Sequence, residues 1–286
     1  MQLSGATVDI AGLNVVFHQE RETVEALRDV SFQVEAGTTC VVIGPSGCGK
    51  STLLYVLAGL LQPQSGRVLI NGREPQPGRR ETSLILQDYG LLPWKTVWQN
   101  TVLGLIIRRS PAAEIQAAGE RVLKQMGLWE LRRRFPAQLS GGQRQRVAIA
   151  RSVVTRPDLL LMDEPFSSLD ALTRESLQES LLDILKDGGI TVILVTHSIE
   201  EAAYLGQRIV VLTSRPGRVA AVLENPAAGS KDYRKTESFY RLCRELRQAL
   251  EDACQTTGTC GPVPRPAGTG NEFAPRRDEH VPNERG

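Results

Sequence analysis

Gly44-Pro45-Ser46-Gly47-Cys48-Gly49-Lys50-Ser51-Thr52 is the stretch on which the fold turns. It fits the spacing G-x-x-x-x-G-K-[ST] in full. Before it, Thr39 to Ile43 is short, β-rich and continuously apolar, as a strand buried on both faces would be. After it, Ser51 to Leu60 carries apolar residues at helical spacing, with Gly59 near the end. Strand, glycine-rich turn and helix together make a cradle for phosphate. The glycines let backbone N–H groups curl around an anion without Cβ clashes. The helix points its positive end at the same place. Lys50 can then reach the β- and γ-phosphates of a nucleotide, and the Ser51 hydroxyl can ligate Mg²⁺.

Outward from this unit, residues 26 to 43 read as two strands with a turn at Ala36-Gly37. Residues 66 to 85 hold two more, around Asn71-Gly72 and a Pro/Gly loop. From about 88 to 154 the pattern turns helical. Ile115, Ala118, Val122, Leu123 and Met126 recur at helical spacing, and a second helix starts after Ser140. Strand character returns at Leu159 to Met162, Thr191 to Val195 and Arg208 to Thr213, with helices at Ala171 to Asp187 and Ile199 to Leu205. Strands alternating with helices imply an α/β fold with a parallel sheet, into which the stretch 88–154 is inserted. A last helix is expected over Thr236 to Ala253, with Phe239, Leu242, Cys243, Leu246, Ala249 and Leu250 on one face. Beyond Cys254 the chain is rich in Pro, Gly and Thr and is expected to be disordered.

Two further constellations carry chemistry. The apolar run Leu159-Leu160-Leu161-Met162 ends in Asp163-Glu164. Asp163 is placed to hold Mg²⁺ through water, and Glu164 to orient or deprotonate an attacking water. Acidic residues after a strand are common, so this pair gains its weight from the phosphate loop. The third constellation, Leu139-Ser140-Gly141-Gly142-Gln143-Arg144-Gln145-Arg146, opens a helix. Ser140 can cap it, and the small glycines leave backbone N–H groups open to a second anion. An ordinary N-cap accounts for the serine but not for the paired glycines.

The string LSGGQ followed by RQRVAIARS resembles the signature of ATP-binding-cassette (ABC) ATPases. Other elements of that family fall in its order. Gln87 matches the Q-loop glutamine, a further ligand for the metal. Ser168-Leu169-Asp170 matches the D-loop, and His197 the switch histidine. Phe17 stands where an aromatic stacks on adenine, with His18 beside it as the other choice. The resemblance implies a P-loop NTPase fold, with a mostly parallel core sheet, an N-terminal antiparallel β subdomain and an inserted helical subdomain. It places the cassette at 5–228, with the helical part at about 88–154; periodicity and composition, not the resemblance, put a C-terminal helix at 229–253 and a tail at 254–286. It also implies a head-to-tail pair. ATP would lie between residues 44–52, Gln87, Asp163, Glu164 and His197 of one copy and Ser140 and Gly142 of the other. Asp170 would link the two sites.

Composition narrows the setting. The chain has 286 residues, 34 basic and 32 acidic, for a net charge of +2. Nucleic-acid binding usually shows a pronounced basic excess, so none is expected. No apolar run reaches the roughly 18–20 residues of a membrane span, and Met1 to Ile10 does not read as a secretory signal. Five cysteines without framework spacing argue for free thiols. A soluble protein is expected, reaching the membrane through a partner.

Gln87-Asp88-Tyr89-Gly90-Leu91-Leu92-Pro93-Trp94-Lys95-Thr96-Val97 holds large apolar groups in a loop, which must pack inward or meet another protein. Its wording, with Asp163-Glu164-Pro165-Phe166 and Ser214-Arg215-Pro216-Gly217-Arg218-Val219, resembles the nitrate/sulfonate/taurine importers. That implies a multi-span permease, an extracytoplasmic solute-binding protein reached indirectly, and a place on the cytoplasmic side of the plasma membrane. An exporter subunit, or a soluble cassette ATPase of translation or DNA repair, is the alternative. The chain departs from the subfamily pattern at Ser167-Ser168, where Gly-Ala is usual, and at Ser198, where Asp is commoner. Arg132-Arg133-Arg134 reads as a solvated basic loop.

Overall fold

A computed structural model describes residues 5–19, 22–230 and 232–255. Strands β1 (Val8–Gln19), β2 (Glu22–Val34), β3 (Thr39–Ile43), β4 (Ser65–Ile70) and β5 (Thr82–Ile85) occupy the first part, with helix α1 (Lys50–Leu57) after β3. Helices α2 (Val97–Thr101), α3 (Leu103–Ile107), α4 (Ala112–Gln125) and α5 (Gly141–Val153) follow without a strand between them. The remainder alternates: β6 (Leu159–Asp163), α6 (Ala171–Gly188), β7 (Thr191–Thr196), α7 (Ile199–Leu205), β8 (Arg208–Leu212), β9 (Val219–Glu224) and α8 (Glu237–Gln255).

The strands form two sheets. One is three-stranded and antiparallel, in the order β2-β1-β4. The other runs β5-β6-β7-β3-β8-β9 and is parallel except for the β8–β9 pair. The two strands expected over 26–43 therefore belong to different sheets, as do the two expected over 66–85.

The core follows from period-2 alternation in the six-stranded sheet. Cys40 and Val42 of β3, with Leu159, Leu161, Ile193 and Val195, face the three-stranded sheet and α1. Val41 and Ile43, with Leu160, Met162, Val192 and Leu194, face α5, α6, α7 and α8. Every residue of β3, β6 and β7 is buried, which is why these strands read as continuous apolar runs. In α8, Phe239, Leu242 and Leu246 are buried as their spacing predicts. The helix runs to Gln255, past the expected end. It is fixed at its start by Tyr233, whose ring meets Phe239 edge-on at 5.5 Å and whose hydroxyl donates to Asn225 Oδ1 at 2.9 Å. The tail beyond Gln255, with Cys260, lies outside the described residues.

Candidate nucleotide site

The parallel strands end at one level. Ile43 is opposite Thr196, and Asp163 is opposite Val195. Gln87 follows β5, whose Ile85 pairs with Met162. The glycine loop, the carboxylates, Gln87 and His197 thus leave the sheet at its carboxyl end, where ligands of open α/β sheets bind.

The loop itself has two residues in the left-handed region, Gly47 at φ 78° and Gly49 at φ 98°. A Cβ on Gly49 would also lie 2.6 Å from Leu27 Cδ2, so only glycine fits there. Gly49 caps α1 without a side chain, and no acidic residue stands in the first turn. The helix end therefore keeps its positive potential for an anion. Lys50 is buried, and its Nζ donates to the carbonyls of Gly44 and Pro45, both at 2.9 Å. The Ser51 hydroxyl donates to Asp163 Oδ1 at 3.0 Å. Loop and strand carboxylate are thereby joined across 112 residues of sequence.

Glu164 stands one residue further on, at φ 44°. A non-glycine residue held there costs of order 1–3 kcal/mol and needs enforcing surroundings. Its N–H donates to Val195 O at 3.0 Å, and Ser167 Oγ donates to its carbonyl at 3.0 Å. Its carboxylate Oε2 lies 3.1 Å from Nδ1 of His197, an imidazole more than half exposed.

The signature residues sit elsewhere, at the start of α5 beside α6. Ser140 caps α5, as the sequence suggests, and Gln143 returns the bond by accepting from the Ser140 N–H, which completes a capping box. Gly142 has a packing reason that sequence reasoning missed: a Cβ there would lie 2.5 Å from Thr173 Cγ2. Gly141 faces open space, with nothing within 4 Å of its added Cβ. Thr173 also donates its backbone N–H to Asp170 Oδ1 at 3.0 Å. That hydrogen bonding holds Asp170 below the ordinary carboxylate range. The signature turn and the Asp170 loop therefore share one neighbour.

Phe17 is half-buried on β1 and packs on the core beneath the three-stranded sheet; His18 is exposed. The segment after Gln87 is anchored. Tyr89, at φ 67°, hydrogen-bonds its hydroxyl to that of Ser168, and Arg151 grips the carbonyls of Gly90 (2.6 Å) and Tyr89 (2.7 Å). Leu91 packs inward while Trp94 is 69% exposed. Of the three arginines expected to be solvated, Arg132 instead stacks on Trp129 at 4.4 Å. Its guanidinium lies over the ring and donates to the Trp129 carbonyl at 2.9 Å. Gly217 is a further support. Its N–H donates to Ala26 O, and a Cβ there would sit 2.1 Å from the carbonyl of Cys48. Glycine is needed for this close approach behind the loop.

An arrangement of this kind binds nucleotide phosphates and can hydrolyse them, which makes the protein a P-loop nucleoside triphosphatase. A family model described as ABC transporter matches residues 27–167. The chain is 42% identical over 245 residues to the taurine import ATP-binding protein TauB of Pseudomonas aeruginosa, across 84% of this chain and 92% of that one. It is 47% identical over 235 residues to TauB of Rhizobium johnstonii, across 80% and 90%. With the aliphatic sulfonates import ATP-binding protein SsuB of Bacillus cereus it shares 39% over 247 residues, across 86% and 96%. A dimeric ATP-binding cassette bound to ADP and Pi after hydrolysis matches with a TM-score of 0.69 at 31% identity, over 76% of this chain and 98% of that one. The chain belongs to the ABC transporter family, as one of its ATP-binding, ATP-hydrolysing subunits. Among the described residues no helix is long and apolar enough to cross a membrane.

Proposed function

We propose that the chain is the ATPase subunit of an importer for a small sulfonate of the taurine type, acting as a pair of copies on the cytoplasmic face of a separate permease. The named relatives support the cargo class, because 42% and 47% identity extends over nearly their whole length. The observation that carries the chemistry is the 3.1 Å contact between Glu164 and His197, beside the loop that holds Lys50.

Backbone N–H groups of residues 44–52 would cradle the β- and γ-phosphates, with Lys50 turning from its carbonyl partners to the anion. Ser51 Oγ and Asp163 Oδ1 are hard oxygen donors a hydrogen bond apart, a set that suits Mg²⁺ shared with phosphate and water. Gln87 would complete that set, and the ion would supply neutralisation of phosphate charge. Glu164 accepts the proton of a water attacking the γ-phosphorus, as the bond from that phosphorus to the ADP oxygen breaks. His197 touches the γ-phosphate and keeps Glu164 oriented. Ser140 and the glycines of a second copy close over the same phosphate, Asp170 links the two sites, and Phe17 stacks on adenine. Closure on ATP and opening after hydrolysis would drive the permease.

Trp94, Ile106, Ile107 and Phe135 are 69%, 51%, 72% and 43% exposed, all within the helical insertion. Apolar surface of this kind fits a permease segment, and the solute-binding protein would act through that permease. Glu164→Gln tests the central claim. It should retain ATP binding, lower turnover at least about a hundredfold, and accumulate a dimer with ATP on size-exclusion chromatography. Normal turnover by that variant would overturn the role given to Glu164.

A further inference from the structure

Glu201 is a buried carboxylate that this scheme leaves unused. It lies in the first turn of α7 and is 4% exposed. Its Oε2 accepts from the Thr196 hydroxyl at 2.6 Å. That hydroxyl, at the end of β7, accepts in turn from the backbone N–H of Ser198 at 3.1 Å. The N–H of Glu201 donates back to Ser198 Oγ at 3.3 Å. The turn that presents His197 is therefore stitched on both sides to Glu201.

The other oxygen, Oε1, faces Arg174 of α6 across 3.7 Å. Arg174 follows Asp170 by one helical turn, and its Nη2 donates to Leu169 O at 2.8 Å. Its Nε is enclosed and makes no hydrogen bond among the described residues. A separation of 3.7 Å lies beyond the usual N–H···O range. An approach of α6 toward α7 by well under 1 Å would turn it into a charge-assisted hydrogen bond. Burial pushes the Glu201 carboxyl up, and the Thr196 hydroxyl and Arg174 oppose that. A well-packed apolar residue is often at least as stabilising as a buried ion pair, so stability alone is weak grounds for one here.

We infer that Glu201 and Arg174 are positioning residues that couple the loop bearing Asp170 to the turn bearing His197. When the loop shifts, the pair closes and holds His197 against Glu164. This rests on the roles proposed above for Glu164 and His197. It adds two residues outside the groups given contact with the nucleotide or the attacking water.

The test uses the full chain with ATP and Mg²⁺, measuring kcat, KM and melting temperature for Glu201→Gln, Arg174→Met, their double variant and Arg174→Lys. Glutamine can still accept from Thr196 but carries no charge toward Arg174. Each single variant should lower kcat about tenfold with KM within about twofold, and the double should be no worse than either, because residues acting as a unit are not additive. Arg174→Lys should recover at least half of the logarithmic loss. Wild-type turnover by folded Glu201→Gln would overturn the inference. So would multiplying effects in the double, or Arg174→Lys no better than Arg174→Met. If Glu201→Gln does not fold, the two Arg174 variants decide. Normal hydrolysis by Glu164→Gln, run alongside, would sink the underlying site reading instead.

Discussion

Replacing Gly142 by Ala separates packing from chemistry in the signature turn. The added methyl would lie 2.5 Å from Thr173 Cγ2, where carbon atoms ordinarily rest about 3.5–4.0 Å apart. At least 1 Å must therefore open between α5 and the first turn of α6, and overpacking of this sort costs about 1–3 kcal/mol. Alanine returns roughly 0.5–1 kcal/mol through helix propensity. A net loss of about 1 kcal/mol, within a range of roughly 0–2.5, lowers the melting temperature by roughly 2–4 °C in a chain of this size. Thr173→Ser deletes the offending methyl and keeps the backbone N–H that Asp170 accepts from, so the Gly142→Ala/Thr173→Ser chain should melt no lower than Thr173→Ser alone, and roughly 1–4 °C higher where the helix propensity of alanine is realised in full. Gly141→Ala is the matched control, because nothing lies within 4 Å of its new methyl. It should melt no lower than the parent, yet lower ATP hydrolysis at least about tenfold, by placing a methyl where the partner's nucleotide approaches. Differential scanning fluorimetry and a coupled ATPase assay read both quantities. An unchanged melting temperature for Gly142→Ala, or no recovery with Thr173→Ser, would refute the packing account. Full activity in Gly141→Ala would refute the role of the open helix end.

Two further outcomes can be checked directly. Burial pushes the Cys40 thiol up to about 12, so in the folded chain it should stay unreactive toward a thiol-specific disulfide reagent at pH 9, while exposed Cys254 is labelled. Because the folded chain keeps that proton above the unfolded value, Cys40 contributes stability that is fully present below about pH 8.5 and falls as pH rises toward 12. Equilibrium unfolding between pH 8 and 10 should show a shallower loss of stability with rising pH in Cys40→Ala than in the parent, with Cys243, whose thiol is also pushed up by burial, supplying part of what remains. Ile107→Asp, at a side chain 72% exposed, should leave hydrolysis and melting of the isolated chain unchanged while abolishing co-purification with the permease. Undiminished recovery of the complex would exclude that face as the docking surface.

Much of the fold is legible because its signals are local. The glycine loop, the strand before it and the helix after it lie within about twenty residues, and the Ser140 cap directly precedes its helix. The apolar runs of β6 and β7 announce burial on both faces. Other parts lack such a signal. In β1 the pairing register shifts after Ile10, after Leu13 and after Val15, so the alternation that would mark a strand is broken. Helices α2 and α3 have five residues each, too few to show a helical period. Strand β9 alternates in burial but uses alanine at two positions, which mutes the contrast.

The residues that escaped sequence reasoning share a physical cause. Thr173, Glu201, Arg151 and Gly217 act by touching segments distant in sequence or by closing a contact between elements, and none has a chemistry that marks it alone. Gly217 lies in a string that resembles the family, yet its use is visible only when a Cβ is placed 2.1 Å from Cys48 O. The other three converge on residues 168–170, Glu201 through Arg174. Arg151 holds Tyr89, whose hydroxyl meets Ser168; Arg174 links Leu169 to Glu201; Thr173 links Asp170 to Gly142. The departure from the subfamily pattern at Ser168 thus has a consequence, since alanine could not bond Tyr89. The loop between Glu164 and α6 is where the segment after Gln87, the signature helix and the His197 turn are all tied. The tie to the segment after Gln87 is a closed hydrogen bond, whereas the tie to the His197 turn runs through the Arg174–Glu201 pair, open at 3.7 Å.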